Sequence, residues 1–265
     1  MLSVDRLSVK YVQQDNYALK DLSLDCDLTG ITALVGRSGV GKTTLIAMMA
    51  GIYRPDDPLF DNLSGSIRLN GNSPSALRGA ATISWVPQEP VLLDHLTVMK
   101  NVLLPLTLGE SARVGVDPAH ADELLTELGL DAYRKFRPKE LSGGMKARVS
   151  FARALVSKPT YLFLDEPFLG LDLMNRWNIY GLIRKLRSRE GLATILTSHN
   201  IPEVVVLSDR IVVLSECGGQ TSARVIENEA TLSASMNPRS CLTAARSRAA
   251  PIEYEVFFGL EPRYA

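Results

Sequence analysis

The chain has 265 residues, of which 46% are hydrophobic and 22% charged, and its 29 basic residues are balanced by 29 acidic ones. This length and composition are typical of a globular protein with one core, or with a core and a smaller subdomain. The balanced charge argues against nucleic acid or an anionic membrane surface as the main partner. No apolar run approaches the roughly 18 residues that span a bilayer, and the N-terminus lacks a signal-peptide pattern.

The first part of the chain has strand patterns. Residues 4–9 and 22–28 alternate apolar and polar side chains, which is typical of antiparallel strands. Residues 53–65 are rich in Pro, Asp and Gly and predict a loop. Residues 66–71 predict a short strand that ends in an Asn-Gly turn.

A glycine-rich loop follows a predicted buried strand at residues 31–35 and precedes a predicted helix at residues 44–49. The loop fits G-x-x-x-x-G-K-[ST]. Its glycines let backbone N–H groups turn towards an anion, and the helix N-terminus adds partial positive charge. We expect Lys42 to reach the β- and γ-phosphates of a nucleotide and Thr43 to ligate Mg²⁺. The alternative is a chance glycine-rich turn. The loop residues are Gly36, Arg37, Ser38, Gly39, Val40, Gly41, Lys42, Thr43 and Thr44.

The middle of the chain changes from strand to helix patterns. Residues 81–86 predict a strand that Pro87 stops, and residues 96–104 and 119–128 predict helices. We interpret residues 88–140 as a helical insertion between strands.

The second half alternates helices with buried strands. Residues 142–156 and 173–189 predict helices, and residues 161–164, 193–197 and 210–214 predict strands covered on both faces.

The pattern weakens beyond Glu216. Residues 230–250 predict a mobile tail, and residues 251–265 are compatible with a short docked helix. The three cysteines, Cys26, Cys217 and Cys241, form no metal-binding pattern and predict free thiols in a reducing cytosol.

An acidic pair, Asp165 and Glu166, directly follows the predicted strand at residues 161–164. Ligands of parallel sheets bind at the carboxyl ends of the strands. Asp165 is expected to hold Mg²⁺ through water, and Glu166 to polarise the water that attacks the γ-phosphate. Alternatively, the pair caps the following helix, which Pro167 would also fit.

A second glycine turn, Leu141-Ser142-Gly143-Gly144, precedes a predicted helix whose buried stripe includes Met145. Ser142 is a good N-cap, and the glycines leave the helix N-terminus open to an anion. Because one chain carries one phosphate loop, this second site would serve the nucleotide of another subunit, in a two-fold dimer. The alternative is a capped helix after a tight turn.

Three single polar residues complete the pattern. Gln88, at the start of the helical block, is a candidate sensor of Mg²⁺ or the γ-phosphate. His199 follows the strand at residues 193–197 and is expected to contact the γ-phosphate or to position the general base. Asp172 is expected to cap a helix and to contact the other subunit. Each of the three has a plain structural alternative as a solvated or capping residue.

An aromatic side chain near the phosphate loop would stack on the adenine base. Tyr11 is the first candidate and Tyr17 the alternative, with ordinary packing as the other explanation for either residue.

In order and spacing, these motifs resemble those of the ATP-binding cassette (ABC) ATPases, over about residues 1–216. In that family's terms they are the Walker A loop, Q-loop, signature, Walker B, D-loop and switch histidine. The resemblance implies an α/β fold of the P-loop NTPase class: a RecA-like core with an antiparallel β-subdomain and a helical subdomain inserted at about residues 88–156. It leaves residues 217–265 as a C-terminal extension, partly mobile.

The resemblance also implies a function. ATP and Mg²⁺ would be bound between two copies of the chain, and hydrolysis would reopen this homodimer. The helical block would receive coupling helices from a permease, so the subunit would act at the cytoplasmic face of the inner membrane. The nearest subgroup imports nitrate, sulfonates, taurine and thiamine precursors. This resemblance implies a solute-binding protein as a further partner, and it implies no nucleic-acid partner. The alternatives are an exporter or lipoprotein-release ATPase, a soluble ABC ATPase, and a nucleotide-gated binding module.

Three departures from the family pattern stand out. Met145 replaces the commoner Gln of the signature, and Leu169-Gly170 replaces the usual Ser-Ala before Leu171-Asp172. After Glu216 we expect no room for the regulatory β-domain that sugar and molybdate importers append.

Overall fold

The structure is a computed structural model and describes residues 1–54, 56–80, 82–107, 119–228, 249 and 252. The chain divides into two compact units, one formed by Met1–Ser75 with Ile195–Ala265 and the other by Ala76–Thr194. The strands are β1 (Leu2–Tyr11), β2 (Leu19–Cys26), β3 (Ile31–Gly36), β4 (Phe60–Leu69), β5 (Ile83–Val86), β6 (Tyr161–Leu164), β7 (Ala193–Thr197), β8 (Arg210–Cys217) and β9 (Gln220–Glu227). The helices are α1 (Lys42–Met49), α2 (Pro74–Gly79), α3 (Val98–Thr107), α4 (Ala119–Glu127), α5 (Gly143–Leu155), α6 (Leu173–Glu190) and α7 (Ile201–Leu207), with 3₁₀ turns at Asp131–Tyr133 and Pro138–Glu140.

The first unit contains an antiparallel sheet in the order β2-β1-β4. Leu2 pairs with Cys26 on one side and with Leu69 on the other. Apolar residues of β1 and β2 are buried in alternation with less buried ones, except at Asp5-Arg6, Lys10-Tyr11 and Lys20-Asp21, where two successive residues are not buried. The predicted antiparallel β-subdomain is confirmed.

The same unit holds strands in the order β7-β3-β8-β9, with β7 represented by its last three residues. β3 runs parallel to β8, with Gly36 opposite Leu214, and every residue of β3 is buried. Burial on both faces is the reason that β3, apart from Thr32, and the Ile211–Leu214 part of β8 are apolar. β9 pairs antiparallel with β8 along its whole length, so this sheet extends past Glu216.

The second unit holds strands in the order β5-β6-β7, with β7 represented by its first two residues, and β5 runs parallel to β6. Between β5 and β6 in the chain lie α3, α4 and α5, which pack on one another. The predicted helical insertion between strands is therefore confirmed.

One prediction of local structure was wrong, and one helix was not predicted. The loop predicted at residues 53–65 ends at Phe60, where β4 begins, because this segment pairs with β1 over a long sequence separation. Ile201–Leu207 contains three consecutive valines, which favour strands, yet it forms α7. The helix starts there because the Asn200 side chain accepts the Glu203 N–H at 3.3 Å and Pro202 lies in its first turn. The Asn70-Gly71 turn is confirmed, with positive φ at both residues.

The cysteines that the structure describes are free thiols, as predicted. Burial raises the pKa of Cys26 to about 11, whereas Cys217 is exposed. Cys241 and most of residues 230–265 lie outside the described residues; of that segment Ala249 and Ile252 are described, and both are buried. In the described ranges, no helix is long and apolar enough to cross a membrane.

Candidate nucleotide-binding site

The phosphate loop joins the end of β3 to the start of α1, as predicted. Two of its glycines are required by close packing within the chain. A Cβ at Gly41 would lie 2.4 Å from the Ala18 carbonyl oxygen, and a Cβ at Gly36 would lie 2.5 Å from the Leu214 carbonyl oxygen. Gly41 also has φ of +96°, which side chains rarely adopt. The loop is thus shaped by its own surroundings.

The N-terminus of α1 is arranged to receive an anion. Its N-cap residue is Gly41, which has no side chain to occupy the first-turn N–H groups. Lys42 Nζ donates to the carbonyl oxygens of Gly36 and Arg37 at 2.9 and 3.0 Å, so the ammonium group is held across the loop. Backbone donors, the helix dipole and this ammonium group together favour a phosphate group.

Tyr11 is brought to the phosphate loop, and Tyr17 is not. Tyr11 ends β1, and its hydroxyl lies 3.1 Å from Thr44 Oγ1, in the first turn of α1. Tyr17 is exposed, and its ring lies 5.6 Å from Lys20 Nζ. Of the two candidates for adenine stacking, the structure therefore favours Tyr11.

His199 follows β7 in the first unit and is exposed. The preceding residue, Ser198, is buried, and its backbone N–H donates to the Leu34 carbonyl of β3 at 3.3 Å. Ser198 Oγ in turn accepts the Asn200 N–H at 3.0 Å. These bonds fix His199 at the carboxyl end of β7, close to the strand that leads into the phosphate loop.

In the second unit, the acidic pair follows β6. Asp165 is 2% exposed, and its N–H donates to the Val86 carbonyl at the end of β5 at 3.0 Å. Gln88 lies two residues beyond Val86, so two candidate Mg²⁺ ligands belong to neighbouring strand ends. Glu166 has φ of +44°, a strained value for a residue that is not glycine and precedes proline.

The second glycine turn begins α5, and Ser142 is its N-cap, as predicted: Ser142 Oγ accepts the Met145 N–H at 3.3 Å. A Cβ at Gly143 would meet no atom of the described residues within 4 Å, whereas one at Gly144 would lie 3.3 Å from Leu171 Cδ2. Leu141 is buried and anchors the turn. Met145 is half-buried, so its predicted place in the buried stripe was wrong. The buried residues of this stripe are Val149, Ala152, Leu155 and Val156.

Asp172 caps α6. Its carboxylate accepts the Asn175 backbone N–H at 2.9 Å and the Asn175 side-chain amide at 2.5 Å. These hydrogen bonds hold the pKa of the Asp172 carboxyl below its ordinary value, and the bond from the Asn175 backbone has the larger effect. The capping role is thus observed, and the intersubunit contact stays a prediction.

Two aromatic residues next to Tyr11 were missed by the sequence interpretation. The rings of Phe60 and Tyr53 lie 5.1 and 6.4 Å from the Tyr11 ring. Both fall in the segment predicted as a loop. The available signal was Phe60, an aromatic residue at the start of β4. It points to Tyr11 only once the pairing of β4 with β1 is known.

A glycine loop between a buried parallel strand and a helix, with a buried carboxylate at the end of another parallel strand, defines a P-loop nucleoside triphosphatase. Residues 19–169 match the ABC transporter family. The chain therefore belongs to the ABC transporter family, as its ATP-binding, ATP-hydrolysing subunit.

Similar proteins with names support this family assignment. The chain is 34% identical over 204 residues to the aliphatic sulfonates import ATP-binding protein SsuB 1 of Pseudomonas savastanoi pv. phaseolicola, covering 77% of each protein. It is 32% identical to the taurine import ATP-binding protein TauB of Roseobacter denitrificans, covering 83% of this chain and 79% of that protein. It is 35% identical to the Fe(3+) ions import ATP-binding protein FbpC of Pseudomonas fluorescens, covering 86% of this chain and 61% of that protein.

Among solved structures, the chain is similar to the dimeric structure of MJ0796, a bacterial ABC transporter cassette. The TM-score is 0.71 at 25% identity, and the alignment covers 86% of this chain and 99% of that one. The family, fold class and ATPase activity expected from the sequence are confirmed.

Proposed function

We propose that the chain binds MgATP at its phosphate loop, hydrolyses it as a homodimer, and thereby drives the import of a small solute through a membrane permease. The observation that carries this proposal is the contrast between its two glycine turns. At Gly36 and Gly41 the phosphate loop is shaped by contacts within the chain, whereas Gly143 opens a capped helix N-terminus onto space that no described residue occupies. A helix start of this kind suits a phosphate group brought by a second copy.

In the proposed site, the loop N–H groups and Lys42 hold the phosphates. Thr43, exposed in the first turn of α1, would supply a hydroxyl to Mg²⁺, and Gln88 and Asp165 would supply oxygens from the strand ends. Hydroxyl, amide and carboxylate oxygens are the hard ligands that Mg²⁺ prefers, so the residues present fit the ion. Mg²⁺ would neutralise charge on the β- and γ-phosphates.

Glu166 is the proposed general base. Its strained backbone lies at the end of β6 between two buried residues, Asp165 and Pro167. His199, at the end of β7, would contact the γ-phosphate or hold the attacking water. The adenine base would stack on the Tyr11 ring.

In the dimer, residues 141–144 of one copy would bind the nucleotide held by the other, and Asp172 would contact the partner beside it. The solved structure of MJ0796, to which the chain is similar, is a dimeric cassette.

Import through a permease is supported by the relatives. Proteins at 32–35% identity are named for the import of different solutes: sulfonates, taurine and Fe³⁺. Since the ATP-binding subunit is similar while the solute differs, other subunits would select the solute. These would be the permease and a solute-binding protein, with this chain at the cytoplasmic face of the inner membrane.

Copurification of the tagged chain from detergent-solubilised membranes, followed by mass spectrometry, tests this proposal. A multi-span permease should copurify, and its identity would report the solute and the direction of transport. Recovery as a homodimer with robust ATPase activity and no membrane partner would overturn the transport role.

A further inference from the structure

The ring of Tyr11 belongs to a compact group of three aromatic side chains within the first unit. Its centroid lies 5.1 Å from that of Phe60, with the planes tilted by 43°. Tyr53 meets both rings edge-on, at 6.4 Å from Tyr11 and 5.1 Å from Phe60. Edge-to-face contacts of this kind fix the orientation of a ring as well as its position. Tyr11 remains half-buried, so the residue is partly accessible.

A β-bulge places Phe60 opposite Tyr11. Along the β1–β4 ladder Lys10 pairs with Asn62, but the next residue, Tyr11, pairs with Phe60. Asp61 is the additional residue of this irregularity, and its carboxylate forms an ion pair with Lys10 at 3.1 Å. In a regular ladder Asp61 would face Tyr11. The bulge therefore exchanges a carboxylate for an aromatic ring at this position, as bulges beside functional sites often redirect a side chain.

The hydroxyl of Tyr11 links the group to the phosphate loop. It lies 3.1 Å from Oγ1 of Thr44, which is buried in the first turn of α1. Tyr11 is thus held at two ends: aromatic contacts fix its ring, and a hydrogen bond ties its hydroxyl to α1, whose N-terminus is the proposed phosphate site.

We propose that Phe60 and Tyr53 are positioning residues that set the Tyr11 ring at the correct height and angle to stack on the nucleotide base while the phosphate loop holds the triphosphate. This inference rests on the proposed function, since it assigns the residues that support its base-binding side chain. A ring that is already held in its binding orientation improves affinity, because little conformational entropy of the side chain is lost on binding. It predicts that Phe60 and Tyr53 influence the binding of the base and leave the binding of the phosphates unchanged.

The test compares a ligand that has a base with one that has none. Calorimetry measures the affinities of the full-length protein for MgATP and for magnesium tripolyphosphate. Tyr11→Leu should reduce the ratio of these affinities about tenfold, within the range of base–aromatic stacking, and Phe60→Leu about threefold to fivefold. Phe60→Tyr, which keeps an aromatic ring, should retain the wild-type ratio. Leu59→Ala, at the exposed neighbour of Phe60, is the matched control and should not change it.

A double variant separates positioning from general structure. If Phe60 acts through Tyr11, adding Phe60→Leu to Tyr11→Leu should reduce the ratio no further. If Phe60→Leu fails to fold, the same comparison of single and double variants can be made with Tyr53→Leu in its place. A wild-type ratio in Phe60→Leu, equal losses for both ligands, or additive losses in the double variant would overturn the positioning role. Failure of the wild-type protein to bind MgATP would instead overturn the proposed function.

Discussion

The two glycine turns of this chain differ in what surrounds them. At Gly41, in the phosphate loop, a Cβ would lie 2.4 Å from a backbone oxygen and 2.5 Å from the Leu19 side chain. At Gly143, in the second turn, the described part of the chain leaves a Cβ with nothing within 4 Å. Both glycines stand at or beside the N-terminus of a helix, where N–H groups are available to an anion.

The difference separates two reasons for a glycine. The first turn needs glycine so that its own backbone can close, and the loop is therefore formed before any ligand binds. In the second turn, Gly143 has no such need among the described residues, and glycine is unfavourable in a helix relative to alanine. We infer that the second glycine keeps space for a group from outside the chain. The predictions below test whether the two turns serve binding and assembly in this way.

The largest effect is expected from Glu166, in the unit that carries the second turn. Glu166→Gln should reduce ATP turnover by about 10²- to 10⁴-fold, because it removes the general base, while ATP still binds at the phosphate loop. A steady-state ATPase assay measures this, with Glu190→Gln, at the exposed end of α6, as the matched control. Near-wild-type turnover in Glu166→Gln would falsify the assignment.

Lys42 tests the first turn directly. Lys42→Ala should weaken ATP binding by about 10- to 150-fold, which corresponds to the loss of a charged hydrogen bond of about 1.5–3 kcal/mol. Titration calorimetry checks it, with Lys100→Ala on α3 as the control. An unchanged affinity would remove Lys42 from the nucleotide site.

Gly41 tests whether the first loop is shaped by its own packing. Gly41→Ala should lower the free energy of unfolding without nucleotide by about 1–3 kcal/mol, since it combines a strained positive φ with a close contact to Ala18. Gly39→Ala is the matched control: its φ is +82°, but an added Cβ there would find open space among the described residues, so its loss should be smaller. Urea denaturation measures both, and equal losses would show that contact with Ala18 is unimportant.

Gly143 should behave in the opposite way. Gly143→Ala should leave the free energy of unfolding unchanged or raise it by up to about 1 kcal/mol, because alanine favours the helix and meets no clash. The same variant should lower ATP turnover, since its methyl group would occupy the space kept for the partner's phosphate. A destabilised protein, or one with full turnover, would contradict the interpretation of the second turn.

The sequence predicted the parts of the site that depend on local spacing. The strand, loop and helix at residues 31–49, the acidic pair after β6 and the Ser142 cap are all short-range features, and the structure places them on the expected elements. Long-range pairing was not visible in the same way. The Phe60 strand forms because it pairs with β1, and the choice of Tyr11 over Tyr17 depends on Thr44. The helix at Ile201–Leu207 was missed because its cap outweighs a run of valines.

The most direct test of the two-turn account is the oligomeric state of Glu166→Gln with MgATP, measured by sedimentation velocity. We expect a dimer with ATP and a monomer without it. Adding Gly143→Ala should return the ATP-bound protein to a monomer while its affinity for ATP as a monomer stays unchanged. A dimer that forms equally well in the double variant, or a monomer that loses ATP affinity through Gly143→Ala, would show that the second turn does not serve the nucleotide of a second copy.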